Sequence, residues 1–116
     1  MVLGNLGNAY AHLGETHRAI QFHEETLFIH REIGDRRGEG AALANIGNAY
    51  ANLGEIRRAI QFFEQHLAIA REVSDCRGEG NALWNMSLML DHLGERAQAI
   101  QHAEQALIIR ERSKIP

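Results

Sequence analysis

Between Leu43 and Leu53, apolar and small residues return at three- and four-residue steps: Leu43, Ile46, Gly47, Tyr50 and Leu53. That spacing lays one stripe along an amphipathic helix. Gly54 follows the last of them and predicts a stop, since glycine accepts the left-handed backbone of a helix C-terminus. A second stripe then runs through Ala59, Ile60, Phe63, Leu67 and Ala70. The pattern predicts a helix, a tight turn and a second helix. Asp35 and Asp75 stand where the next helices begin and are expected N-caps, because a carboxylate there satisfies free N–H groups and the helix dipole.

The same pattern is written three times. Residues 1–40 and 41–80 agree at about 25 of 40 positions, and a looser copy follows from Asn81. Gly7, Tyr10, Leu13, Gly14, Ala19, Ile20, Phe22 and Leu27 return forty residues later as Gly47, Tyr50, Leu53, Gly54, Ala59, Ile60, Phe62 and Leu67. In the third copy the corresponding residues are Ser87, Leu90, Leu93, Gly94, Ala99, Ile100, His102 and Leu107. A period of this length means helix pairs stacked side by side, each too small to bury its own face. The expected organisation is one domain over 1–116, with repeats at 1–33, 36–73 and 76–112. Gly47 and Ala59 are expected to face each other where two helices cross, their small side chains letting the backbones approach.

Composition narrows the chemistry. A chain of 116 residues can bury a modest core. Its 12 basic and 15 acidic residues give a formal net charge of −3, without the basic stripe expected of a nucleic-acid binder. No apolar run approaches the roughly 18 residues that span a bilayer, and no signal peptide is evident, so a membrane partner is not expected. Cys76 is the only cysteine, which leaves no internal disulfide and suits a reducing, cytoplasmic setting.

At these residues the chain resembles the tetratricopeptide repeat (TPR) family, whose pattern is W-x2-L-G-x2-Y followed by A, F, A and P. Copy two supplies Leu43, Ile46, Gly47, Tyr50, Ala59 and Phe63; copy one supplies Leu3, Leu6, Gly7, Tyr10 and Ala19, with His23 at the aromatic position. Copy three supplies Leu83, Met86, Ser87, Leu90, Ala99, Ala103 and Ala106, while the proline position holds Arg31, Arg71 and Glu111. The forty-residue unit and the connectors Gly34–Gly40 and Ser74–Gly80 resemble the long TPR variant of LGN-type G-protein-signalling adaptors and of bacterial TPR arrays. The resemblance implies an all-α solenoid of three antiparallel helix pairs in a right-handed superhelix. It also implies a non-catalytic scaffold that binds a protein or peptide, the first helix of each pair lining a concave groove.

Asparagines stand out on those first helices, where they are mediocre helix formers. With about 100° per residue, and counting from Leu43, the apolar stripe centres near 330° while Asn45, Asn48 and Asn52 fall at about 200°, 140° and 180°. They form a second stripe, which the resemblance places in the groove. Stacking the copies gives rows: Asn5, Asn45 and Asn85; Asn8, Asn48 and Leu88; His12, Asn52 and His92. Each amide offers two donors and two acceptor lone pairs, enough to hold a peptide backbone without demanding a charge pattern. The candidate peptide-binding residues are Asn5, Asn8, His12, Asn45, Asn48, Asn52, Asn85 and His92. Asn8 and Asn45 match the asparagines with which some TPR domains clamp a C-terminal carboxylate. The clamp's basic positions hold Gly4, Asn81 and Asn85, so that use is not expected.

Nothing in the sequence assembles an active site, a metal site or a cofactor site. The seven histidines include no i, i+4 pair and no Cys/His cluster, and are expected to be scattered and partly exposed. Gly4–Asn8 lacks the G-K-[ST] ending of a phosphate loop. The serines have no recognisable base and orienting partner. Trp84 is expected to pack against a neighbouring unit or, as the alternative, to lie near the groove edge, and the pairs Arg31-Glu32 and Arg71-Glu72 read as solvated helix surface. No polar capping helix is apparent at either end, although repeat stacks normally need one. The terminal repeats are therefore expected to self-associate into a homo-oligomer or to be covered by further repeats. That gives an alternative role as an oligomerising segment of a larger regulatory protein.

Overall fold

A computed structural model describes Leu6 and residues 14–113. Five helices follow one another: α1 (Thr16–Ile33), α2 (Arg36–Asn52), α3 (Ile56–Glu72), α4 (Cys76–His92) and α5 (Arg96–Ser113). The described residues include no strand. α1, α3 and α5 are the second helices of the three copies; α2 and α4 are the first helices of copies two and three. Leu6 is helical, but Asn5, Asn8 and His12 lie outside the described residues. Each helix packs mainly on its neighbours in sequence, and α2 touches α4 only lightly. The fold is a helix-pair solenoid whose stability comes from nearest-neighbour interfaces.

The core forms where one copy meets the next. Leu27 on α1 joins Ala42, Leu43 and Ile46 on α2, with Ile69 of α3 closing the cluster. One copy later, Leu67 and Phe63 on α3 join Ala82, Leu83 and Met86 on α4, with Ala106 and Ile109 of α5. Most residues of the predicted stripes are buried, with Tyr50, Leu53 and Ile60 half-buried. Gly47 meets the ring of Phe63: a Cβ added there would come 2.8 Å from Phe63 Cε1. Ala59 is fully buried one turn earlier on the same helix.

Helix ends follow the chain signals, with one exception. Gly34, Gly54 and Gly94 adopt φ of 72°, 80° and 79° at the turns that end α1, α2 and α4. The turn after α3 uses Ser74 at φ 57°, left-handed backbone that costs an L-residue about 1–2 kcal/mol. Asp35 and Asp75 cap as expected, each accepting a hydrogen bond from the backbone N–H of Gly38 or Gly78 at 3.0 Å. Three of the connector glycines are explained by crowding. A Cβ at Gly38 would overlap the His30 ring, one at Gly78 would fall on the Asp75 carboxylate, and one at Gly40 would press on His66 and Ile69 at 3.3 Å.

The charged residues near the connectors are not plain solvated surface. Arg31 Nε donates to Glu39 Oε2 at 3.0 Å, and Arg36 donates to Glu39 Oε1 at 2.7 Å. Arg36 also reaches both oxygens of Glu72, at 2.6 and 2.9 Å, thereby tying the start of α2 to the end of α3. Arg71 Nε donates to Glu79 Oε2 at 3.0 Å, repeating the first link one copy on. Glu39 is nearly buried; burial alone would raise its pKa, but the hydrogen bonds from Arg31 and Arg36 prevail and hold it below the ordinary carboxylate value. The hydrogen bond from Arg36 lowers Glu72 as well.

Candidate functional site

The exposed side of α2 and α4 carries the candidate residues. Asn48, Asn52 and His92 are exposed, while Asn45 and Asn85 are half-buried. None of these four asparagine side chains has a hydrogen-bond partner among the described residues. Unpaired amides in water are unremarkable singly. Here Asn45, Asn48 and Asn52 share one face of α2, and Asn45 recurs one copy on as Asn85.

Between α2 and α4 lies a depression of about 280 Å³ that holds Asn45 and Asn81 with Arg77, Asp75 and the edge of His66. Asn81 and Arg77 belong to the first turns of α4; Arg77 escaped the sequence reading, and Asn81 entered it only as a clamp position without the basic residue. Asn81 corresponds to Met1 and Ala41, so the repeat gave no row to notice. His66 and His23 are buried, against the expectation of partly exposed histidines. Burial lowers the pKa of both; for His66 the charge of Asp75 opposes it in part. Both Nδ1 atoms are enclosed without a partner among the described residues, which favours the neutral imidazole. The depression therefore presents two amides and one charge of each sign, a lining suited to peptide amide groups rather than to a lone carboxylate.

A second hollow opens at the end of the stack. In copy two the Phe63 ring fills the crevice between the paired helices by lying over Gly47. Copy three has Ser87 and Ala103 at those positions, and a crevice of about 230 Å³ opens between α4 and α5, lined in part by Trp84, Leu88, Ile100 and Ala103. Trp84 is exposed, which goes against packing in a neighbouring unit, the first of its two expected placements. Ser87 turns its hydroxyl to the Trp84 carbonyl at 2.6 Å and adds no bulk to the gap.

Among the described residues no group of three His, Cys, Asp or Glu side chains is placed to hold a metal ion. No described helix is long and apolar enough to cross a membrane. Cys76 is exposed and is not in a disulfide.

The sequence profile of the tetratricopeptide repeat family matches residues 1–72 and 40–112. Mouse G-protein-signaling modulator 1 is 51% identical over 41 residues, which is 35% of this chain and 6% of that protein. The human protein is 46% identical over the same length. The chain thus spans a small part of these relatives. Among solved structures, the TPR domain of Arabidopsis FLU superimposes with a TM-score of 0.88 at 21% identity, over 95% of this chain and 92% of that one. Aspartyl phosphate phosphatase F from Bacillus subtilis gives 0.92 at 17% identity, over 97% of this chain and 30% of that one. With the helix pairs, the inter-copy cores and a family match across both halves, the chain belongs to the tetratricopeptide repeat family.

Proposed function

We propose that this protein is a non-catalytic scaffold that holds an extended peptide or a helix along the trough formed by its first helices. The observation that carries this reading is the set of amides on α2 and α4, Asn45, Asn48, Asn52 and Asn85, that have no partner among the described residues. Asn5, Asn8 and His12 extend the row in copy one, and His92 in copy three. Asn81 and Arg77 add contacts in the depression between α2 and α4. The domain spans 1–116 with repeats 1–33, 36–73 and 76–112, and its setting is the cytoplasm. The similarity to a G-protein-signaling modulator is in keeping with an adaptor, although it covers about one copy of the repeat.

The test compares wild type with an Asn45→Ala/Asn48→Ala double variant in affinity capture from native lysate. The variant is expected to lose the captured protein while keeping its helical circular dichroism. Each hydrogen bond removed from a closed interface contributes about 1–3 kcal/mol, enough to abolish capture at micromolar affinity. An identical set of captured proteins would end the groove reading.

A further inference from the structure

We infer that the two ends of the solenoid are complementary and that the protein associates head to tail with second copies of itself, the α5 face of one molecule seating the segment around Leu6 of the next. The template is inside the molecule. At each internal junction a leucine on a second helix is buried by the first helix of the following copy. Leu27 is 7% exposed and lies in one cluster with Ile46, which is 0% exposed. Leu67 is 8% exposed and lies in the next cluster with Met86, which is 6% exposed. The third leucine, Leu107, is 53% exposed. The counterpart of Ile46 and Met86 in the first copy is Leu6, which is helical and 41% exposed. Each end thus shows half of a pairing that the chain makes twice within itself.

The rest of the two faces agrees. Ile100, the counterpart of buried Ile20, is exposed beside Leu107 on the α5 side. Ile108 is exposed too, but its counterparts Phe28 and Ala68 are exposed as well, so that position belongs to the outer surface and not to a junction. Residues 2–14 also repeat the sequence of residues 42–54 at nine of thirteen positions, including Leu3, Gly7 and Tyr10. Residues 42–54 include most of the helix already seated on α1. A segment so similar is therefore a ready occupant for the equivalent face of α5. Such a contact is heterologous, with different surfaces meeting, so it propagates into open chains rather than closing as a dimer. The ion pairs of the internal junctions are not reproduced, since position 111 holds Glu where 31 and 71 hold Arg. The external junction is accordingly weaker than the internal ones.

The experiment is sedimentation velocity on the full chain from ~10 μM to ~1 mM, a span chosen for a junction of modest affinity. Three variants accompany the wild type: Leu6→Glu, Leu107→Glu and the outer-face control Ile108→Glu. Wild type and Ile108→Glu are expected to form a concentration-dependent series of species. Leu6→Glu and Leu107→Glu are each expected to remain monomeric, with unchanged helical circular dichroism. Mixed together, those two should form a capped heterodimer, since each supplies the face that the other lacks. A wild type that stays monomeric at every concentration overturns the inference and leaves the faces to another occupant. So does a mixture that stays monomeric while the wild type associates. Self-association of Leu6→Glu alone overturns it equally, because it shows α5 faces meeting each other.

Discussion

Gly47 and Phe63 show how one residue sets the distance between two helices. The ring lies where a Cβ at position 47 would approach to 2.8 Å, closer than side-chain atoms pack. A Gly47→Leu variant must push the Phe63 ring out of the crevice, and overpacking of this kind is expected to cost about 1–3 kcal/mol, read as a lower urea midpoint. His23 occupies the position of Phe63 one copy earlier, and there the sequence misled. The histidines are expected from the sequence to be partly exposed, whereas His23 is buried and its pKa is lowered by that burial. The folded state resists protonation of His23 and of His66. Their stability contribution is therefore intact above the ordinary value of 6.5 and is lost as pH falls below it toward their lowered folded values. Equilibrium unfolding is expected to show the midpoint falling between pH 7 and pH 5. His23→Phe should flatten part of that slope, and an unchanged slope would remove His23 from the account.

At the scale of the element, the connectors do more than join helices. Asp75 caps α4 through the Gly78 N–H, and Asp75→Ala is expected to cost about 0.5–2 kcal/mol. Ser74 just before it holds left-handed backbone where the equivalent junction has Gly34, so Ser74→Gly is expected to raise stability by about 0.5–1 kcal/mol. Thermal melts of the two variants should move in opposite directions. The carboxylates add a second pH dependence. Glu39 and Glu72 are held below their ordinary value of 4.5, so their contribution is present above it and is lost as pH falls through their folded values. That places it at lower pH than the histidine effect and with the same sign. Caps and stripes were legible in the sequence because they depend on neighbours three or four residues apart, as with Asp35 and Gly38. The link from Arg36 to Glu72 spans 36 residues and exists only once two copies are stacked, so charge spacing along either helix did not announce it. The asparagine stripe was legible as a helix face for the same local reason. Asn81, His66 and Arg77 meet beside Asn45 only across the gap between helices, and no single helix face could have shown that.

Across the whole molecule, position matters more than residue type. Leu27, Leu67 and Leu107 are the same residue at the same place in three copies, yet the first two are buried by a following helix and the third is not. In a stack held by nearest-neighbour contacts, a leucine contributes through the copy it seats. Leu67→Ala removes the side chain that meets Leu83 and Met86 on α4, and is expected to destabilise by about 2–5 kcal/mol. Leu107→Ala, measured dilute enough to keep the chain monomeric, should stay within about 0.5 kcal/mol of wild type. The loss at Leu67 should also be uneven. α4 and α5 depend on the α3–α4 interface, whereas α1 and α2 keep the cluster around Leu27 and Ile46. Hydrogen exchange on Leu67→Ala is therefore expected to accelerate first in α4 and α5. Uniform acceleration along all five helices would mean that the copies unfold as one cooperative unit, with coupling stronger than a chain of pairwise interfaces supplies.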